Sequence, residues 1–164
     1  MFKEMQNHVT PKKIVGSSND DLPYTNTNLE DMEGEIWVDA FGFDGYYEVS
    51  NLGRLKSPSE REVITGSGYP RRLPIIILKQ TKAKTKRKRG IKFDDRLSCG
   101  FNIDGKRYVI NVARLVYQSF NPDENIDDLV ITHLNGCYYD NRLENLAAVN
   151  GRKVDKTKRS VRDT

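Results

Sequence analysis

The sequence predicts an α+β fold built mainly from short antiparallel strands. Apolar and polar side chains alternate on both sides of Asp104-Gly105, a pair that favours a tight hairpin turn. Apolar residues then recur at helical spacing from Val112 to Phe120, until Asn121-Pro122, where proline ends the helix. Leu129, Val130 and Ile131 predict a further strand.

The chain of 164 residues divides into five predicted regions. These are a disordered or loosely attached leader (1–33), a first ordered region (34–78), a basic loop (79–92), a second ordered region (93–150) and a basic tail (151–164). In the first ordered region, YYEVS predicts a short strand, NLG a turn and LPIIILKQ a buried strand. Only 37% of the residues are apolar, so part of the chain is not expected to pack.

The end of the second ordered region is expected to contain a turn followed by a helix. Asn135-Gly136 predicts the turn, and Asp140 or Asn141 is a candidate helix cap. Leu143, Leu146, Ala147 and Val149 would form the apolar face of this helix, which is expected to begin after the cap.

Charge is distributed unevenly along the chain, although the formal net charge is only +4. Residues 14–53 contain nine acidic residues and no Lys or Arg, whereas residues 79–92 contain eight basic residues and no acid. Such a basic block is typical of an arm that binds nucleic-acid phosphates. A solvated loop and a nuclear-import signal are the alternatives.

Several classes of protein are excluded by composition. No apolar run is long enough to span a membrane, and the first residues lack the apolar core of a secretory signal. Two cysteines, Cys99 and Cys137, form neither a disulfide framework nor a zinc ribbon. An intracellular location is therefore expected, and a nuclear one if the host is eukaryotic.

His133 is the candidate for chemistry, because it ends an apolar strand and precedes a polar loop. A histidine oriented by an amide or a carbonyl can take a proton from water near neutral pH. Asn145 lies twelve positions on and is the candidate partner. From residue types alone, a lone histidine is more often structural than catalytic.

Two segments carry a family resemblance. Residues 35–57, EIWVDAFGFDGYYEVSNLGRLKS, resemble the NUMOD4 motif at the front of many HNH homing endonucleases of phages and large viruses. The matching features include Ile36-Trp37 and the VSNLGRLKS run. Residues 112–149 resemble the HNH core of the same enzymes, through Val112-x-Arg114-Leu115-Val116, His133-x-x-Gly136 and the NRLENL run.

The resemblance implies a small antiparallel NUMOD4 sheet followed by a ββα-metal (His-Me finger, HNH) core that hydrolyses double-stranded DNA. His133 matches the general base, Asn145 the asparagine that supports the loop and the histidine, and Asn141 the asparagine at the helix start. One divalent ion, Mg²⁺ or Mn²⁺, is implied, with no organic cofactor and no membrane partner. Trp37 is expected to be structural, and the oligomeric state is left open.

The sequence departs from the family pattern at both expected metal-ligand positions. Thr132 stands where the family usually has an acidic or amide metal ligand, and Val154 stands where it usually has a second ligand. A threonine hydroxyl is a weak ligand for a hard cation. The hypotheses are therefore an HNH endonuclease and a catalytically inactive DNA-binding module, with RNA binding as a remote third. The predicted DNA contacts are Lys84, Lys86, Arg87, Lys88, Arg89 and Arg114.

Overall fold

The computed structural model describes residues 21–87 and 90–151, with side chains described outside residues 83–95. Within these residues it is dominated by short strands and has one α-helix. The strands are β1 (Trp37–Asp39), β2 (Glu48–Ser50), β3 (Leu55–Ser57), β4 (Arg61–Ile64), β5 (Pro70–Leu73), β6 (Ile76–Ile77), β7 (Thr81–Arg87), β8 (Gly90–Ile103), β9 (Lys106–Asn111), β10 (Leu129–His133) and β11 (Leu146–Asn150), and the helix is α1 (Val112–Phe120). Two short 3-10 helices cover Pro23–Thr25 and Leu143–Asn145. A mixed fold is thus confirmed at this level.

The first ordered region forms a small antiparallel sheet with the strand order β1-β2-β3-β6. The predicted turn lies between β2 and β3, where Gly53 donates its backbone N–H to the Ser50 carbonyl at 2.9 Å. The predicted buried strand over LPIIILKQ is wrong for most of its length, because Ile75 and Ile76 are exposed. Within this run, the pairing with β3 is limited to β6, which begins two residues after Pro74.

The predicted basic loop is largely extended backbone in the described residues. β7 and β8 pair as an antiparallel hairpin, and β9 adds a third strand across the Asp104-Gly105 turn. Asp104 has φ 48° and Gly105 has φ 78°, the positive values that a two-residue hairpin turn requires. The hairpin-to-helix order predicted for residues 96–120 is therefore confirmed.

The helix predicted after the cap at Asp140 or Asn141 is wrong. The chain instead makes the 3-10 turn Leu143–Asn145 and continues as β11, which pairs antiparallel with β10 and places His133 opposite Leu146. The Leu143, Leu146 and Ala147 spacing fits one helix face, but the backbone partners of β10 determine the conformation. In the described residues, β10 and β11 therefore form a two-stranded ladder, and the helix of the expected ββα core does not follow them.

The core joins the N-terminal sheet to the rest of the chain. The helix α1 buries Val112, Ala113, Leu115 and Val116. These side chains belong to the same apolar cluster as residues of β2, β3, β8 and β11, namely Val49, Leu55, Leu97, Cys99, Phe101 and Leu146. No helix among the described residues is long and apolar enough to cross a membrane.

Candidate functional site

The carboxyl end of β10 places His133 at the start of a short loop. Leu134 donates its backbone N–H to the Asn145 carbonyl at 2.8 Å, and Gly136 donates to the His133 carbonyl at 3.2 Å. The ladder with β11 holds the backbone on the other side. Backbone hydrogen bonds therefore hold the chain both before and after His133, independently of the contacts of its side chain.

The imidazole of His133 is held by Asn141. The ring Nε2 lies 2.8 Å from Asn141 Oδ1, and the side chains are 8% and 3% exposed. The Tyr138 ring stands edge-on to the imidazole, with centroids 5.5 Å apart. The ring is thus buried against an amide and an aromatic edge.

With the amide oxygen of Asn141 facing the ring, this contact fits one tautomer of His133. The Asn141 Oδ1 atom is only an acceptor, so the ring Nε2 carries the hydrogen and donates it. In a neutral imidazole the lone pair then lies on Nδ1. Nδ1 is therefore the nitrogen that can accept a proton.

Asn145 organises the loop that follows His133, and its side chain is fully buried. Its Nδ2 donates to Asn135 Oδ1 at 2.9 Å and to the Asp140 carbonyl at 2.8 Å. Its Oδ1 accepts the Asn135 N–H at 2.9 Å. This geometry agrees with the predicted role of Asn145 in supporting the loop.

The predicted helix-start role of Asn141 is wrong, because no helix begins there and the residue contacts the histidine instead.

Asp140 and Arg142 form an ion pair in this loop that the sequence analysis missed. Arg142 donates to both carboxylate oxygens of Asp140, at 2.8 and 2.7 Å, and Asn135 Nδ2 donates at 2.7 Å. Burial raises the pKa of Asp140, but these hydrogen bonds and the Arg142 charge outweigh it and lower the pKa overall. The Asp-x-Arg spacing of Asp140-Asn141-Arg142 is the sequence feature that could have predicted this ion pair.

The donors described around His133 do not fit a Mg²⁺ or Mn²⁺ site. Thr132, the predicted ligand, is half-buried in β10 opposite Ala147, and its hydroxyl is neutral. The nearby carboxylate of Asp140 is already bound to Arg142. No group of three His, Cys, Asp or Glu side chains that could hold a metal occurs in the described part of the chain. Val154 lies outside that part.

The turn between β2 and β3 packs directly on this loop. Leu143 donates its backbone N–H to the Asn51 carbonyl at 2.8 Å. Gly53 lies so close to Asn141 that an added Cβ would stand 2.9 Å from both the Cβ and the carbonyl oxygen of that residue. The N-terminal sheet therefore contributes to the surroundings of His133.

The predicted DNA contacts are only partly described. Lys84, Lys86 and Arg87 lie on the β7 backbone, whereas Lys88 and Arg89 lie outside the described residues. Arg114 uses its guanidinium structurally, donating to the carbonyls of Leu129 at 3.1 Å and Ile126 at 2.8 Å. Its contact with DNA stays a prediction.

Trp37 lies in β1 and is partly buried. Its indole N–H donates to Asp31 Oδ1 at 2.8 Å, and Lys56 and Arg54 stack on its ring at 4.1 and 5.4 Å from the centroid. These contacts agree with the structural role predicted for this residue.

Comparison with known proteins confirms the NUMOD4 part of the resemblance. Residues 35–93 match the model of the NUMOD4 motif. A solved structure, on DNA binding and cleavage by the HNH homing endonuclease I-HmuI, matches with 28% identity and a TM-score of 0.47. The match covers 70% of this chain and 52% of that chain, so this chain spans about half of that protein. No curated protein matches.

Proposed function

Because residues 35–93 carry a NUMOD4 motif, we propose that this chain is a DNA endonuclease of the HNH homing type. His133 is the general base in this proposal, and the basic block over residues 79–92 binds the DNA backbone. Double-stranded DNA is the proposed partner. The supporting observation is the bond between His133 Nε2 and Asn141 Oδ1, which leaves Nδ1 as the proton acceptor.

The proposed reaction uses groups of this chain. A water molecule loses a proton to Nδ1 of His133 while its oxygen attacks the phosphorus, and the bond to the 3′ oxygen breaks. The departing 3′ oxyanion takes a proton from solvent, and the imidazolium returns its proton to solvent. The products are a 3′ hydroxyl and a 5′ phosphate. Asn141 fixes the ring through Nε2, and Asn145 fixes the loop backbone on which the ring stands. A fixed ring lowers the entropic cost of reaching the reactive geometry.

Plasmid nicking tests this proposal. We expect purified protein to convert supercoiled DNA to open circles in buffer with Mg²⁺ or Mn²⁺, and His133→Ala to lower the rate by about 10²-fold or more. His8→Ala is the matched control, because His8 is the chain's other histidine and it stands outside both resembling segments. Loss of nicking in EDTA would support the divalent ion that the resemblance implies.

Equal nicking by wild type and His133→Ala would contradict the role of His133. Retardation of DNA at moderate salt, with no nicking by either protein, would instead support the second candidate, a DNA-binding module without catalysis. The neutral Thr132 hydroxyl and the occupied Asp140 carboxylate favour that candidate.

Restoring the family's ligand types at positions 132 and 154 tests whether the site lacks only its metal ligands or has also lost its geometry. We expect Thr132→Asp combined with Val154→Asn to raise the nicking rate if the rest of the site is intact, because carboxylate and amide oxygens bind hard cations better. No gain, with DNA binding unchanged, would indicate that the geometry of the site has also drifted.

A further inference from the structure

We propose that the turn Asn51-Leu52-Gly53 of the NUMOD4 motif positions the imidazole of His133 through Asn141. The inference deepens the proposed function, since its catalytic meaning depends on His133 being the base. The positioning itself is a property of the free protein. Asn141 contacts the ring, and Gly53 acts on the ring only through Asn141.

The first step is the close approach of Gly53 to Asn141. Gly53 has φ +84°, and a Cβ built there would lie 2.9 Å from Asn141 Cβ, a distance that real side chains essentially never adopt. Other glycines with positive φ, among them Gly45 and Gly68, have open space at the same position. A glycine is therefore required at position 53 both by the positive φ and by the close approach of Asn141. The other turns share only the positive φ.

The second step is that the turn itself is held. The Asn51 carbonyl accepts the Leu143 N–H at 2.8 Å, two residues beyond Asn141. Gln80, which precedes β7, donates from Nε2 to the Gly53 carbonyl at 2.6 Å. The turn that packs against Asn141 is thus held by a backbone hydrogen bond at Asn51 and by the Gln80 side chain at Gly53.

The third step concerns the pose of Asn141. Its Oδ1 accepts a hydrogen bond from the histidine, but its buried Nδ2 has no hydrogen-bond partner among the described residues. Buried donors usually find partners, so the hydrogen bonds of Asn141 alone do not explain its pose. The close approach of Gly53 and the bond to His133 are two constraints on this side chain that the described residues provide.

Imidazole nitrogen NMR tests the positioning without any need for catalysis. In a His8→Gln background, His133 is the single histidine, and its long-range proton–nitrogen correlations report the tautomer. We expect the Nε2–H form to predominate in this parent, and Asn141→Ala to reduce that preference. We expect Gly53→Ala to reduce it in the same direction, because the new Cβ displaces Asn141.

Gly68→Ala is the matched control, since Gly68 has φ +82° and no neighbour at the Cβ position. It should leave the His133 signals unchanged. In the Asn141→Ala background, Gly53→Ala should add no further change, because it acts through the missing side chain. If Gly53→Ala does not fold, Gln80→Met loosens the turn without adding a Cβ at position 53 and should give a smaller shift in the same direction.

Signals of Gly53→Ala that match those of Gly68→Ala would overturn the proposal, as would a further shift in the Asn141→Ala background or, where Gly53→Ala does not fold, an unchanged spectrum for Gln80→Met. A failure to nick plasmid DNA, with the expected tautomer changes present, would count against the nuclease function alone. The two proposals therefore fail separately.

Discussion

Arg54 shows how one buried side chain links segments that are far apart in sequence. It is fully buried and pairs with the equally buried carboxylate of Glu35. Its guanidinium also donates to the carbonyls of Asn28 at 2.7 Å and Glu30 at 2.9 Å. Residues 26–30 belong to the stretch predicted as a leader, and the structure instead gives them these contacts. Because the partners are mostly backbone carbonyls, no side-chain pattern marked them.

Arg54→Met should destabilise the protein by about 3–5 kcal/mol, because it leaves the Glu35 carboxylate buried without its cation. Lys56→Met is the matched control, since Lys56 also stacks on Trp37 but pairs with a partly exposed Glu48. Its cost should be about 1 kcal/mol or less. Urea unfolding followed by tryptophan fluorescence measures both values.

The pH dependence of this pair has a definite sign. Burial raises the pKa of Glu35, but the hydrogen bonds from Arg54 and Met32 and the Arg54 charge lower it overall. A lowered carboxyl pKa stabilises the fold fully above the unfolded value of about 4.3, and the contribution is lost as the pH falls through the lower folded value. In Arg54→Met the cause that raises the pKa of Glu35, burial, remains without the cation that lowers it, so the variant carboxyl takes up a proton at a higher pH than in wild type. The difference in stability between wild type and Arg54→Met should thus be largest at neutral pH and shrink as the pH falls. Equal effects of Arg54→Met and Lys56→Met at neutral pH would contradict this account.

At the scale of elements, prediction worked where local signals were strong. The hairpin β8–β9 follows from Asp104-Gly105, and the end of α1 follows from Asn121-Pro122. Both signals act within a few residues. The strand β11 was missed because its spacing also fits a helix. The pairing with β10, a segment more than a dozen residues away, selects the strand.

The candidate site also combines features that the sequence predicts with features that it does not. His133 and Asn145 were proposed from motif residues alone. The hydrogen bond between the imidazole and Asn141 was not predicted, because it depends on the course of the loop after β10. The contribution of Gly53 was also invisible in the sequence, since a glycine in a turn predicts a backbone angle and says nothing of a neighbour 88 positions away.

The β7–β8 hairpin is the element on which DNA affinity is predicted to depend. Neutralising Lys86, Arg87, Lys88 and Arg89 to Gln should flatten the dependence of log affinity on log salt by about one unit per residue that contacts a phosphate. Filter binding over a range of salt concentrations measures the slope. A control with Arg71, Arg72, Lys106 and Arg107 neutralised removes the same charge from exposed positions elsewhere. Equal slopes for the two variants would assign the effect to net charge rather than to the hairpin.

Across the whole molecule, the NUMOD4 sheet and the segment that carries His133 share one apolar core. Val49 from β2, Val116 from α1 and Leu146 from β11 belong to the same buried cluster, and Val49 and Val116 are fully buried. Packing of this kind couples the stability of the elements that contribute to it. The sheet and the loop around His133 are therefore expected to unfold together.

Val49→Ala and Val116→Ala test this coupling from opposite sides of the core. Each leaves a cavity at a fully buried position and should cost about 2 kcal/mol. Trp37, the single tryptophan, lies in the N-terminal sheet and reports on it by fluorescence, so Val116→Ala should shift the Trp37 transition as far as Val49→Ala does. Val109→Ala is the matched control, because Val109 is 65% exposed and should change stability by less than about 0.5 kcal/mol. If Val116→Ala left the Trp37 transition at its wild-type midpoint, the sheet would fold independently, and the NUMOD4 motif would then be a separate unit rather than part of the support of His133.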